Sequence, residues 1–287
     1  MRVDICNDKL GFFANLTAIL QILAFCKDTG REPMIWMTSS LYTDATPGTD
    51  WFGDFFERIP ANNHRITSSW SEQCKPCKIQ GLDELGFPRK FVRDYYRNIS
   101  LKSAKSLFNE YFRIKPEIQA IVDRFCDRHF SRRHVLGIHY RGTDKTKEAE
   151  AISFDKCIST IDKFLQRNPE FDCLFLTSDQ QDFIDHISNK YPSLHVCAHE
   201  DTQRSTDGMA IHMNQQSGGN HAKGVEALVN CLTLARCDAL MRTTSLLSAW
   251  ASVFNPAIPV ILLNKPLDDS LLWFPERDVA QRALQEY

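Results

Sequence analysis

The chain has 287 residues, with 34 Lys plus Arg against 36 Asp plus Glu for a formal net charge of −2, and is 43% hydrophobic and 24% charged. At roughly 150 residues per domain, that length suggests two domains, and the composition holds enough apolar residues for real cores. The charge balance argues against a nucleic-acid partner, which would favour a clearly basic chain, and no run reaches the ~18 apolar residues of a membrane helix.

In chain order, Arg2 to Cys6 reads as a strand, Phe12 to Lys27 as a helix and Pro33 to Met37 as a second strand. No small-residue cleavage site follows the apolar stretch after Gly11, so no signal peptide is expected. The pattern loosens after Ser39, through Thr46-Pro-Gly-Thr-Asp50 and Cys74-Lys-Pro-Cys77, and helical spacing returns near Phe91 to Ile99 and over Lys102 to Phe112. Pro116, well placed at a first helical position, opens an amphipathic helix to Phe130. His134 to Tyr140 is a buried strand; a helix over Ser153 to Asn168, a strand over Phe171 to Thr177, a helix over Gln180 to Lys190 and a strand over Leu194 to Ala198 follow. Glu200 to His221 is a long polar loop of the kind that is usually functional or mobile. A helix over Ala222 to Cys237, a strand over Ala239 to Arg242, a helix over Leu246 to Phe254 and a strand over Pro259 to Leu263 complete the alternation.

Strands alternating with helices of this length imply right-handed crossovers and parallel sheets covered on both faces. The expectation is an α/β protein in two parts. Residues 1–115 form an N-terminal α/β domain, and residues 116–287 a more clearly defined Rossmann-like domain. The helical pattern Pro275 to Tyr287 is a candidate to return to the first domain.

Ligands of such sheets bind beyond the carboxyl ends of the strands. The strand ending at Tyr140 is followed by Arg141-Gly-Thr-Asp-Lys145, where a glycine frees the backbone and Arg141 offers a planar fork of donors to phosphate. The strand ending at Leu176 is followed by Thr177-Ser-Asp-Gln180, where Asp179 either helps cap the next helix or faces a base or hydroxyl. Arg242-Thr-Thr-Ser245 precedes a helix, so Thr243, Thr244 and Ser245 either make an anion site or Ser245 is a plain N-cap. Taken together, three polar strand ends on one edge suit a phosphorylated ligand. The loop Asn7-Asp-Lys-Leu-Gly11 lacks the Gly-x-Gly-x-x-Gly fingerprint, and no P-loop occurs.

His139-Tyr-Arg-Gly-Thr-Asp-Lys145 resembles the His-x-Arg-x-Thr-Asp-Lys peptide of the α1,6-fucosyltransferases and their bacterial nodulation relatives. Leu174-Phe-Leu-Thr-Ser-Asp179, Lys223-Gly-Val225 and Asp238-Ala-Leu-Met-Arg-Thr-Thr-Ser245 are similar to later motifs of that family, in family order, and Gly11-x-x-x-Asn15 to its first loop. The resemblance implies a GT-B fold with two Rossmann-like domains facing a cleft, GDP-fucose as donor substrate, a glycan acceptor, inversion, and no metal or other cofactor. It also implies roles: Arg141 on the donor pyrophosphate, His139 at the nucleotide end, Asp144 and Lys145 shaping the donor loop, and Asp179 beside the donor. Thr243, Thr244 and Ser245 would bind phosphate, and Asn15 would approach from the first domain.

Gly142 stands where the α1,6 enzymes usually carry a second Arg, which keeps transfer from another nucleotide sugar open. Inversion needs a general base; Glu148 is favoured over Glu150 and Asp144, although each taken singly reads first as part of a solvated run. Glu226 and Asn230 are loose counterparts of the acid after Arg-Gly-Val in the family. Without a working base the chain would be a non-catalytic glycan- or nucleotide-binding protein. No Asp-x-Asp occurs, which fits transfer without a metal at the pyrophosphate. Lacking the stem, coiled-coil and SH3 parts of animal enzymes, the chain is expected to be a compact bacterial type in the cytoplasm.

The ten cysteines mostly lie in apolar patterns and read as reduced thiols; the sequons at Asn15 and Asn98 then carry no glycan. Cys74-Lys-Pro-Cys77 reads first as a loop thiol pair, and otherwise as a disulfide or zinc half-site with His64 as a possible third ligand. A redox- or zinc-regulated interaction protein centred on that pair is the remaining alternative. His195 and His199, flanking Cys197, read as polar residues at a strand end rather than as metal ligands.

Overall fold

The computed structural model describes residues 2–5, 11–28, 30, 33–38, 40–46, 49–58, 71–74, 99–142, 149–200, 202, 219–264 and 274–284. Asp144, Lys145, Glu148, His64, Cys77 and most of Glu200 to His221 lie outside these residues, as does nearly all of the helical pattern near Phe91. The chain divides into two units, Met1–Ile118 with Gln215–Val225, and Gln119–Asn214 with Glu226–Tyr287.

The first unit holds a parallel sheet in the order β2–β1–β4, with β1 (Arg2–Ile5) paired to β2 (Met34–Met37) and to β4 (Ser71–Cys74). The helix α1 (Phe12–Asp28) connects β1 to β2, as its apolar periodicity requires. Beyond Ser39, where the sequence pattern loosens, the chain makes short elements instead of a loop. These are a 3₁₀ turn at Ser40–Tyr42, α2 (Phe52–Phe55), and an antiparallel pair of β3 (Phe56–Arg58) with β5 (Phe112–Ile114). None exceeds four residues, too short for a period to show.

Aromatic burial holds this region together. Phe12 meets Tyr42, Trp51 and Phe55 with ring centroids 5.1–5.8 Å apart, and Phe52 stacks on Phe56 at 4.7 Å. The helix α3 (Leu101–Tyr111), N-capped by Ser100 on the Ser103 amide at 3.1 Å, adds Phe108 against Phe56 and Phe112.

The second unit is built on a five-stranded parallel sheet in the order β10–β9–β6–β7–β8. The strands are β6 (His134–Tyr140), β7 (Phe171–Ser178), β8 (His195–Cys197), β9 (Ala239–Arg242) and β10 (Val260–Leu262). Between them run α4 (Pro116–His129, before β6), α5 (Phe154–Arg167), α6 (Gln181–Lys190), α7 (Gly219–Leu234) and α8 (Leu246–Phe254). The division assigns the start of α4 and the first turns of α7 to the first unit. Leu136, Ile138, Leu174, Leu176 and Met241 pack with Ile161, Phe164 and Ile187 into one apolar core. Asp238, which opens the third family-like motif, closes the amino ends of the strands. Its carboxylate accepts from the Val135 amide at 2.7 Å, and its own amide donates to the Val135 carbonyl at 2.9 Å.

The C-terminal helix is α9 (Glu276–Arg282). It belongs to the second unit, where Glu276 binds Arg242 and Leu284 bridges to Ile261. Its pull is a buried ion pair, which periodicity does not display. No described helix is long and apolar enough to cross a membrane.

Glycine 224, of the Lys223-Gly-Val225 motif, sits where a Cβ would run into the Phe55 ring, colliding with Cζ and lying 2.7 Å from Cε1. Phe55 is fully buried among Phe12 and Trp51 and has no room to swing. Overpacking of this kind costs about 1–3 kcal/mol. Gly224→Ala is expected to lower the unfolding free energy by that much in urea titration, and a second substitution, Phe55→Leu, to restore part of it.

Candidate active site

The sheet order places β7 and β8 on one side of β6 and β9 and β10 on the other, so the direction of winding reverses between β6 and β9. At such a switch point the loops beyond the carboxyl ends diverge and leave a crevice. Beyond β6 and β9 here lie Arg141-Gly142 and Thr243-Thr244-Ser245.

The two loops are tied across that gap. The Thr243 amide donates to the His139 carbonyl at 2.9 Å, continuing the ladder one step past the strand. The Arg141 amide donates back to Thr243 Oγ1 at 2.9 Å, and the Gly142 amide reaches Asp179 Oδ1 at 3.3 Å. Thr244 is held from the β10 side: its amide and hydroxyl both donate to Asn264 Oδ1, at 2.9 and 3.2 Å, and Asn264 Nδ2 donates to the Glu150 carbonyl at 3.0 Å. Among the sequence candidates, His139, Arg141, Asp179, Thr243, Thr244 and Ser245 therefore share one edge. Asn15 is buried in α1 of the first unit, its Nδ2 3.4 Å from the Gly11 carbonyl.

Several of these side chains serve the framework. Thr243 and Thr244 spend their hydroxyls on the loop itself. His139 is buried and its Nδ1 lies 3.1 Å from Ser248 Oγ. Burial, then the guanidiniums of Arg242 and Arg141, push its imidazolium pKa down to about 3, so the ring is neutral. Ser248 Oγ accepts from Arg242 Nε at 2.8 Å and lies 3.3 Å from the Ser245 carbonyl, so it joins the His139 ring to the Arg242 network. Ser245 occupies the N-cap position of α8 without capping it; its hydroxyl is buried and finds no partner among the described residues. The family-like acid position is also internal: Asn230 Nδ2 donates to Glu226 O and Thr202 Oγ1, at 3.1 and 3.2 Å.

The residues that sequence reasoning missed are Arg242 and Glu276. Arg242 is 0% exposed; its Nη2 donates to the Ser245 carbonyl at 2.7 Å and to Glu276 Oε1 and Oε2 at 2.8 and 2.6 Å, while Nη1 has no partner among the described residues. An arginine ending the apolar run Ala239-Leu-Met was the available signal, since a charge there must be paired. Its partner, 34 positions downstream, had none.

Gly142 departs from the family-like pattern for a steric reason. A Cβ there would lie 2.8 Å from both Tyr140 Cε1 and Gln180 Oε1. Tyr140 is fixed by stacking on Phe183 at 4.3 Å and by its hydroxyl on the Ile152 carbonyl at 2.7 Å.

Residues 100–278 match the model of the nodulation protein Z (NodZ) family. The chain belongs to that family. The match takes in both loops of the switch point together with Arg242 and Glu276. A nodulation protein Z of Bradyrhizobium diazoefficiens is 24% identical over 310 residues, which cover 92% of this chain and 82% of that protein. Among solved structures, the NodZ α-1,6-fucosyltransferase soaked with GDP-fucose is similar at a TM-score of 0.58 and 20% identity, over 91% of this chain and 93% of that one. POFUT1 in complex with GDP is similar at a TM-score of 0.55 and 11% identity, over 91% and 98%. These neighbours place the mixed α/β architecture with the GT-B-like fucosyltransferases.

Breaking a buried ion pair by removing one partner costs about 3–5 kcal/mol. Glu276→Ala is expected to destabilise the protein by that much in denaturant unfolding, well beyond the effect of removing the exposed Asp123 partner of Arg236. His139 supplies a second expectation. Between pH 6.5 and about 3 the unfolded chain takes up a proton that the folded chain refuses, so stability is full above that window and falls as the pH drops through it. The slope approaches 1.4 kcal/mol per pH unit. His139→Asn should flatten the stability profile relative to wild type over that range.

Proposed function

We propose that the chain transfers fucose from GDP-fucose to a hydroxyl of a glycan acceptor, with inversion and without a metal at the pyrophosphate. Membership of the NodZ family, over residues that include both switch-point loops, carries the reading. The fold-level neighbours described as soaked with GDP-fucose or co-crystallised with GDP support the choice of donor.

In this reading Arg141, at the mouth of the crevice, binds the pyrophosphate as a planar cationic fork. The buried Ser245 hydroxyl, the amino end of α8 and the Arg242 Nη1 beneath add donors and positive potential. Asp179 holds the Gly142 amide and so sets the path of the Arg141 loop. Neutral His139 stands toward the nucleotide end without adding charge. Asp144 and Lys145 shape the donor loop, and Asn15 contributes from the first unit. Glu148 is the proposed base that takes the acceptor proton as the sugar transfers. The bacterial relative supports a bacterial source, and a cytoplasmic setting is proposed with it.

A nucleotide at about 100 times its dissociation constant adds about 2.7 kcal/mol of stability. GDP is expected to raise the melting temperature more than UDP or ADP, equally in EDTA and in Mg²⁺. Arg141→Ala removes a charge-assisted contact of roughly 1.5–3 kcal/mol and should weaken GDP about 10–100-fold. Glu148→Gln should keep GDP binding and lose transfer from GDP-fucose. A larger response to UDP would overturn the choice of donor, and stabilisation that survives Arg141→Ala would overturn the placement of the pyrophosphate.

A further inference from the structure

At the other end of the β7 and β8 strands, away from the switch-point loops, two imidazoles and two thiols converge. In the parallel pairing of β7 with β8, Cys173 is in register with His195 and Phe175 with Cys197. Residues two apart on a strand share a face, so the tripeptide His195-Val-Cys197 presents both of its metal-binding side chains on one side of the sheet. The last turn of α4 brings His129 to that side: His129 Nδ1 lies 3.0 Å from His195 Nε2, and the rings stack at 5.3 Å. The ring nitrogens of His129 and His195 and the sulfur of Cys197 all lie within 4.8 Å of one another. The sulfur of Cys173 lies 4.0 Å from that of Cys197.

We propose that this cluster is a structural site for a zinc-type divalent cation, held by His129, His195 and Cys197, with Cys173, which stands beside Cys197 and outside that close group of three, drawn in as the fourth ligand. In a tetrahedral zinc site with bonds of about 2.0–2.1 Å to nitrogen and 2.3 Å to sulfur, paired nitrogens stand about 3.3 Å apart and paired sulfurs about 3.8 Å. The nitrogen and sulfur pairs here are each within a few tenths of an ångström of those spacings. A disulfide would require the two sulfurs at 2.03–2.05 Å, and both cysteines are free.

The surroundings suit a cation that enters from solvent. Both histidines are half-buried, whereas the two thiols are buried beneath them. Arg133 is engaged by Asp172 at 3.2 Å, and Glu200 faces His129. On binding, the two thiol protons leave to solvent, and the hydrogen shared between the imidazoles moves to the outward nitrogen of its own ring. The cation would clamp the end of α4 to β8, a three-residue strand at the edge of the sheet. Short edge strands have few bonds of their own. The site is independent of the donor reading.

The test uses the full chain, stripped with EDTA and reloaded with Co²⁺ or Zn²⁺. One Co²⁺ per chain should bind with a thiolate-to-cobalt charge-transfer band, and Zn²⁺ should raise the melting temperature. H129A and H195A should each weaken zinc by more than the 10–100-fold typical of an outer-sphere partner, and C197S should abolish the charge-transfer band. The C74S/C77S double variant should leave both signals intact. Where a ligand variant fails to fold, X-ray absorption on the zinc-loaded wild type decides. A mixed shell of imidazole nitrogen and sulfur supports the site, and a shell lacking either one overturns it. Absence of a cobalt band and of a zinc response in folded wild type would also overturn it. So would signals lost in C74S/C77S, or kept in all three ligand variants.

Discussion

The Arg242 guanidinium is the interaction on which the switch-point edge of the second unit rests. It sits at the end of β9 with no exposure, and its bonds run to two separate elements: the Ser245 carbonyl and the Ser248 hydroxyl at the start of α8, and the Glu276 carboxylate of α9. Through Ser248 it fixes His139 on the neighbouring strand. A charge taken so far out of water is tolerable only when it is paired, so these partners are not free to drift separately. The loop carrying Thr243, Thr244 and Ser245 is consequently anchored from beneath, while Asn264 holds it from the side. A preorganised edge of this kind favours binding, because the side chains need not be ordered when a ligand arrives.

The α/β alternation of the second half was legible from periodicity alone, since its helices are long enough for a 3.6-residue repeat to recur and its strands are nearly all apolar. His134 to Tyr140, Ser153 to Asn168 and Leu246 to Phe254 match the observed elements to within a residue or so. The stretch after Ser39 was opaque because elements such as Phe52–Phe55 and Phe56–Arg58 are shorter than one period. Their order comes from rings converging across long separations, as when Phe12 meets Phe55.

The candidate site was legible in kind and not in detail. Polar residues at the carboxyl ends of strands pointed to one shared edge of the sheet, because that inference needs only the strand boundaries and parallel pairing. The division of labour among those residues depends on geometry. Thr243 and Thr244 look like ligand-binding hydroxyls in a sequence, yet in space both hold the loop together. Ser245 looks like an ordinary cap and leaves its hydroxyl unused by the helix. Arg242 was passed over in favour of Arg141 because only distance reveals which guanidinium is buried and paired. The same holds for His195 and His129: 66 positions apart in sequence, they meet only once α4 packs beside β8.

The crowding at Gly142 constrains this loop. The position has no room for a side chain while Tyr140 is stacked on Phe183 and Gln180 lies against it. The Gln180 amide ends a flexible chain and can be displaced, but the Tyr140 ring is held at both ends. A side chain at 142 therefore needs Tyr140 to shrink or turn, so positions 140 and 142 are coupled and a substitution at 142 is tolerated only with a compensating one at 140.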